Sequence, residues 1–90
     1  MKNHVYRVQE KIIIEGFEDG ALALRMPDRN IFELNLTAFH ILENTDGVRS
    51  VNEVAALIAD AFKIPEDDAL KDVISLYQYL ESEKIVECVN

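Results

Sequence analysis

Ninety residues, 49% of them apolar, with a net charge of −8, describe one domain able to bury roughly 60–65% of its unfolded surface and too apolar to stay disordered. No apolar run approaches the ~18 residues of a membrane span, and the polar Met1–Glu10 stretch lacks a secretion-signal pattern, so a cytoplasmic protein without membrane contact is expected. Basic and acidic residues cancel over residues 1–30; beyond them only Arg49, Lys63, Lys71 and Lys84 are basic, so the acidic excess lies in the C-terminal two thirds. Such a surface repels nucleic-acid backbones and suits basic or neutral partners.

Residues 1–10 carry no periodic pattern and are expected to be a loosely ordered N-terminus of a single domain spanning residues 1–90. Lys11–Glu15 holds Ile12, Ile13 and Ile14 in a row, the composition of a strand covered on both faces. Glu18-Asp19-Gly20 supplies a turn, with Gly20 free to adopt positive φ. Ala21–Met26 alternates, with Leu22, Leu24 and Met26 on one side. Pro27-Asp28-Arg29-Asn30 is a second turn, in which Asn30 tolerates the left-handed region. Ile31–Asn35 alternates again, with Phe32 and Leu34 opposed to Ile31 and Glu33. Three strands joined by two short turns predict an antiparallel meander.

Hydrophobic spacing then becomes helical. Asn35 or Thr37 can cap a first helix whose stripe is Leu36, Phe39 and Leu42, widened by Ala38 and Ile41. Asp46-Gly47 is expected to end it, with Gly47 in the left-handed position after the helix. Ser50 and Glu53 have the spacing of a capping box, and Val51, Val54, Ala55, Ile58, Ala61 and Phe62 form one face of a second helix. Pro65 closes that unit. Asp67 and Asp68 suit the start of a third helix, buried through Leu70, Val73, Ile74, Tyr77 and Leu80. Ile85–Val89 is a short last strand or an extended tail. The fold class is α+β and winged-helix-like: a three-stranded N-terminal antiparallel sheet followed by three helices.

The signals of catalysis are missing. His4 and His40 are far apart in sequence, and Cys88 has no histidine near it. There is no metal-ligand spacing and no glycine-rich phosphate loop, so no enzyme activity, catalytic residue, metal or cofactor is expected. Asn35-Leu36-Thr37 matches a glycosylation sequon but serves better as a helix start. A winged-helix arrangement raises DNA binding as an alternative, yet the second helix holds Glu53 and Asp60 and neither lysine nor arginine, so the electrostatic footprint is absent. A generic protein-interaction subunit is the other alternative.

Three segments resemble PqqD-like proteins. Leu34-Asn35-Leu36-Thr37-Ala38 with Ile41-Leu42 is similar to their L-N-x-T-A…I-L segment. Thr45-Asp46-Gly47-Val48-Arg49-Ser50-Val51-Asn52-Glu53-Val54 resembles D-G-x-R-T-V-x-E-I and is the specific part. Asp72-Val73, Leu76-Tyr77 and Leu80 resemble the last helix. The likeness runs from about residue 12 to residue 87. It departs after the last helix, where the family usually has Gly-Leu and this chain has Lys84-Ile85.

The resemblance implies a stand-alone recognition element. It would bind the leader of a ribosomally made precursor peptide and present it, as a peptide chaperone, to a modifying enzyme such as a radical S-adenosylmethionine protein. Neither nucleic acid nor membrane is an implied partner, and a homodimer is compatible with the resemblance. The family places the leader against the third strand and third helix, which here are Asn30, Ile31, Phe32, Glu33 and Leu34 together with Asp72, Ser75, Leu76 and Tyr79. An edge strand offers unpaired backbone groups to which an extended peptide can add.

Overall fold

The computed structural model describes residues 3–90. In chain order its elements are β1 (Val5–Val8), β2 (Ile12–Phe17), β3 (Gly20–Arg25), β4 (Asn30–Asn35), α1 (Leu36–Glu43), β5 (Asp46–Ser50), α2 (Val51–Phe62), α3 (Glu66–Ser82) and β6 (Val86–Cys88). They form two three-stranded antiparallel sheets, ordered β2-β3-β4 and β5-β1-β6. The predicted meander is the first sheet, and the three predicted helices are α1, α2 and α3.

The meander is in continuous register from Ile12↔Arg25 to Phe17↔Gly20 and from Gly20↔Asn35 to Arg25↔Asn30. Its inner face is closed by Ala21, Ala23 and Leu34, all buried against the helices. Gly20 is needed for closeness rather than for positive φ: a Cβ there would fall 2.3 Å from the Leu34 carbonyl oxygen. At the second turn the left-handed residue is Arg29, at φ 61°, one position before the expected Asn30. The Ile12–Ile14 run is covered on one face only. Ile12 and Ile14 pack on the core, whereas Ile13 stays 57% exposed, because the helices lie on a single side of this sheet.

Asn35 caps α1, its Oδ1 accepting from the Ala38 N–H at 2.8 Å. The reciprocal box at α2 is complete: Ser50 Oγ accepts from Glu53 N at 3.2 Å, and Glu53 Oε1 accepts from Ser50 N at 2.9 Å. Three acids occupy the first turn of α3, where the helix dipole favours them. The core joins Ile41, Val51, Val54, Ile58, Val73, Tyr77, Leu80, Ile85 and Val86.

Two further sequence expectations are corrected. The first concerns the N-terminal stretch, whose first two residues lie outside the described ones. Val5–Val8 is the central strand of the second sheet, with Tyr6 2% exposed and stacked on Tyr77 at 4.5 Å between ring centroids. Its partners are Ser50 and Asp46 on one side and Val86, Glu87 and Cys88 on the other. Such distant pairing leaves no local signal. The second concerns the end of α1, which stops at Glu43 with Asn44 as its cap. Gly47 does take positive φ, at 79°, but within β5, where Asp46 Oδ1 accepts from Val48 N and Arg49 N. The stretch read as a helix-to-helix turn is therefore a strand.

The departure at Lys84-Ile85 is absorbed without loss of geometry. Lys84 adopts the left-handed conformation, φ 59°, which a glycine occupies more readily. Ile85 is fully buried, and its N–H donates to the Leu80 carbonyl at 2.8 Å.

Candidate functional site

Among the described residues, strand β4 pairs with β3 on one side and with no strand on the other. In an antiparallel ladder, alternate residues of such an edge turn their N–H and C=O outward. Beside this edge lies a groove of about 470 Å³. Glu33, Leu34 and Asn35 of β4 form one wall, and Asp72, Ser75, Leu76 and Tyr79 of α3 form the other. Thr37, Ala38 and Ile41 of α1 line it between them.

Each wall follows from local sequence. Residues 72, 75, 76 and 79 recur at three and four, so they share one face of α3. The adjoining face, Ala69, Val73, Tyr77 and Leu80, is buried and fixes the rotation of the helix. Leu76 is half-buried against the core, while Tyr79 is 50% exposed, a large ring presented to solvent beside an apolar wall. Ala38 keeps the middle of the groove low because it carries only a methyl group. Glu33 and Asp72 are the charged residues of the lining, which contains neither lysine nor arginine.

The wall is anchored from beneath. The Thr45 hydroxyl donates to the Ile41 carbonyl at 2.7 Å and lies 2.7 Å from the Tyr77 hydroxyl. With its one proton committed to Ile41, Thr45 must accept from Tyr77. This chain of two bonds ties α3 to the end of α1. Burial pushes the Tyr77 phenol up to about 12, so it stays a neutral donor.

Of the nine residues expected at the site, Glu33, Leu34, Asp72, Ser75, Leu76 and Tyr79 line the groove. Asn30, Ile31 and Phe32 do not. Phe32 turns inward under the Arg25 guanidinium, 5.2 Å from its ring centroid, and Ile31 points out from the opposite sheet face, 64% exposed. The groove also uses Asn35, Thr37, Ala38 and Ile41, which the sequence marked only as a cap and a core stripe.

A second cleft, of about 650 Å³, includes Arg7, Lys11, Arg25 and Lys84 in its lining. Its arginines are internally compensated: Arg25 binds Asp28, the Glu83 carboxylate and the Glu83 carbonyl, and Arg7 binds Glu87. Among the described residues, no three His, Cys, Asp or Glu side chains are grouped so as to hold a metal ion, and no helix is long and apolar enough to cross a membrane.

The family model for coenzyme PQQ synthesis protein D matches residues 21–86. The chain belongs to the PqqD family. The matched stretch contains both groove walls. No curated protein matches, but solved structures resemble this PqqD-family chain over nearly its whole length. One, a lasso peptide synthetase B1 complexed with the leader peptide, superposes with a TM-score of 0.79 at 21% identity, covering 91% of this chain and 96% of that one. TbiB1 in complex with the TbiA(beta) leader peptide gives 0.80 at 12% identity, covering 90% and 94%. The PqqD truncation of Methylobacterium extorquens PqqCD, described as a functional, stand-alone recognition element for ribosomally synthesised and post-translationally modified peptides, gives 0.77 at 20% identity, covering 92% and 88%. At these identities the likeness establishes the fold.

Proposed function

We propose that this PqqD-family chain binds the leader of a ribosomally made precursor peptide and presents it, in the cytoplasm where such peptides are made, to a modifying enzyme such as a radical S-adenosylmethionine protein. It does so without catalytic chemistry of its own. The observation that carries this reading is the coincidence of an unpaired β4 edge with a groove walled by α3. An extended leader joining β4 would form backbone hydrogen bonds that set register without demanding sequence, while the groove selects side chains. Leu76 and Tyr79 offer an apolar seat, and Glu33 and Asp72 favour a lysine or arginine next to it. Two structurally similar proteins are complexed with leader peptides, which supports the same use of the fold here. The exposed positions of α2, including Glu53 and Asp60, carry no cation, which weighs against nucleic acid.

Titration of isotope-labelled protein with leader peptides of candidate precursors from flanking open reading frames tests the proposal. Amide shifts should concentrate on residues 30–35 and on the Asp72–Tyr79 face. Shifts confined to α2, with β4 silent, would overturn it.

A further inference from the structure

The groove leaves the other face of the β2-β3-β4 sheet unexplained. Ile13 pairs with Leu24, and Leu24 with Ile31, so three large apolar side chains stand in one row across all three strands. Ile13 and Ile31 are 57% and 64% exposed, because every helix packs on the opposite face. The next row is Glu15, Leu22 and Glu33, and Phe17, 49% exposed, follows at the corner. Within the three strands this face presents two carboxylates and no cation, and neither Glu15 nor Glu33 has an ion-pair partner among the described residues. A contiguous apolar patch spanning three strands marks a contact surface.

From this we infer that the outer sheet face docks the modifying enzyme itself, through an apolar patch bordered by lysine or arginine; this rests on the leader reading above. Charge weighs against a second copy of the chain. A pairing of like faces about an axis along the strands would set Glu15 of one protomer against Glu33 of the other, on a molecule already at −8, and like charges brought together across an interface cost several kcal/mol. A partner with complementary cations meets no such penalty. Continuity argues the same way. A leader strand added to β4 would extend this very face, and alternate leader residues would project beside Ile31 and Glu33. An enzyme docked here would read adaptor and leader as one four-stranded surface.

Ile13 and Glu15 lie on β2, the strand farthest from the groove, so they separate the two contacts. The experiment uses the full chain, a purified modifying enzyme and a precursor leader, both taken from open reading frames flanking its gene. Ile13→Ser should weaken enzyme binding at least tenfold and leave leader affinity within twofold of wild type. Glu15→Lys, at an exposed position of β2, should weaken enzyme binding at least threefold in low salt and less in high salt. Unchanged enzyme affinity in both variants, or no enzyme binding by the wild type, overturns the inference. So does a wild-type dimer in sedimentation that Ile13→Ser dissociates, since the occupant would then be a second copy. Failure of the leader to bind while the enzyme contact responds as expected would refute the groove and spare this face.

Discussion

The sheet β2-β3-β4 has two free edges, and they are not equivalent. Both β2 and β4 are six residues long, and among the described residues each pairs only with β3. Large aromatics stand near both, Phe17 on β2 and Tyr79 across from β4, with almost equal exposure of 49% and 50%. The difference lies in what flanks the edge. The lining of the groove takes three residues from β4 and none from β2. Beneath β2 sits the Phe39 ring, so close to Gly16 that a Cβ would fall 2.3 Å from it. An unpaired edge offers the same backbone bonds to any extended chain. A helix wall converts one of the two edges into a selective site.

Paired substitutions can break this comparison. Gly20→Ala and Gly16→Ala each place a methyl group 2.3 Å from an existing atom, but the atoms differ. At Gly20 it is the backbone oxygen of Leu34, which cannot move without opening the β3–β4 ladder, and a loss of about 3 kcal/mol is expected, the upper end of overpacking costs. At Gly16 it is the far end of the Phe39 side chain, which can swing, and about 1 kcal/mol is expected. Denaturant melts giving the reverse order would show that β2, not β4, is the rigid edge.

Binding should show the same asymmetry. Tyr79→Ala is expected to weaken leader binding at least about tenfold, whereas Phe17→Ala should leave it unchanged, because only one of these rings lines the groove. Calorimetric titration finding equal losses would mean that exposure of an aromatic, rather than the α3 wall, governs recognition.

Asp72→Asn should cost less than Tyr79→Ala, about 1 kcal/mol or under, and the loss should shrink as salt rises. Salt-independent loss would assign Asp72 a hydrogen-bonding rather than a charge role.

A further effect concerns the anchor of that wall. Tyr77→Phe removes one hydrogen bond while Thr45 keeps its bond to Ile41, so about 0.5–1.5 kcal/mol is expected. The pH dependence is more telling. The folded-state pKa of Tyr77 is raised from 10.0 to about 12, so its contribution is present in full below pH 10 and is lost as pH climbs through about 12. Alkaline melts of wild type should lose stability in that window, and Tyr77→Phe should flatten the loss.

Much of the meander, all three helices, the Ser50–Glu53 box and the Asn35 cap were legible in the sequence, because period-two and helical spacing and capping chemistry act within a few residues. The second sheet was not. Arg7 pairs with Glu87, and Val5 with Ser50, and its strands are four, five and three residues long, too short for alternation to register. Tyr6 looked like part of a frayed end because its partner, Tyr77, stands seventy-one positions away. The α3 wall was legible by resemblance as Asp72, Ser75, Leu76 and Tyr79, while the contribution of Ala38 and Ile41 was hidden within a helix stripe that reads as core.

By itself the sequence determined the local elements, the acidic balance and the lack of lysine and arginine in the second helix, since these follow from residue type and spacing. The tertiary structure alone decided which edge of the meander meets a helix and which face stays bare. Both depend on the helices packing on one side of the sheet. That leaves Ile13 outside despite its place in an unbroken isoleucine run, and sets Tyr79 across from β4 rather than β2. Spacing cannot specify this, because the two edges carry the same unpaired backbone and are told apart only by what packs beside them.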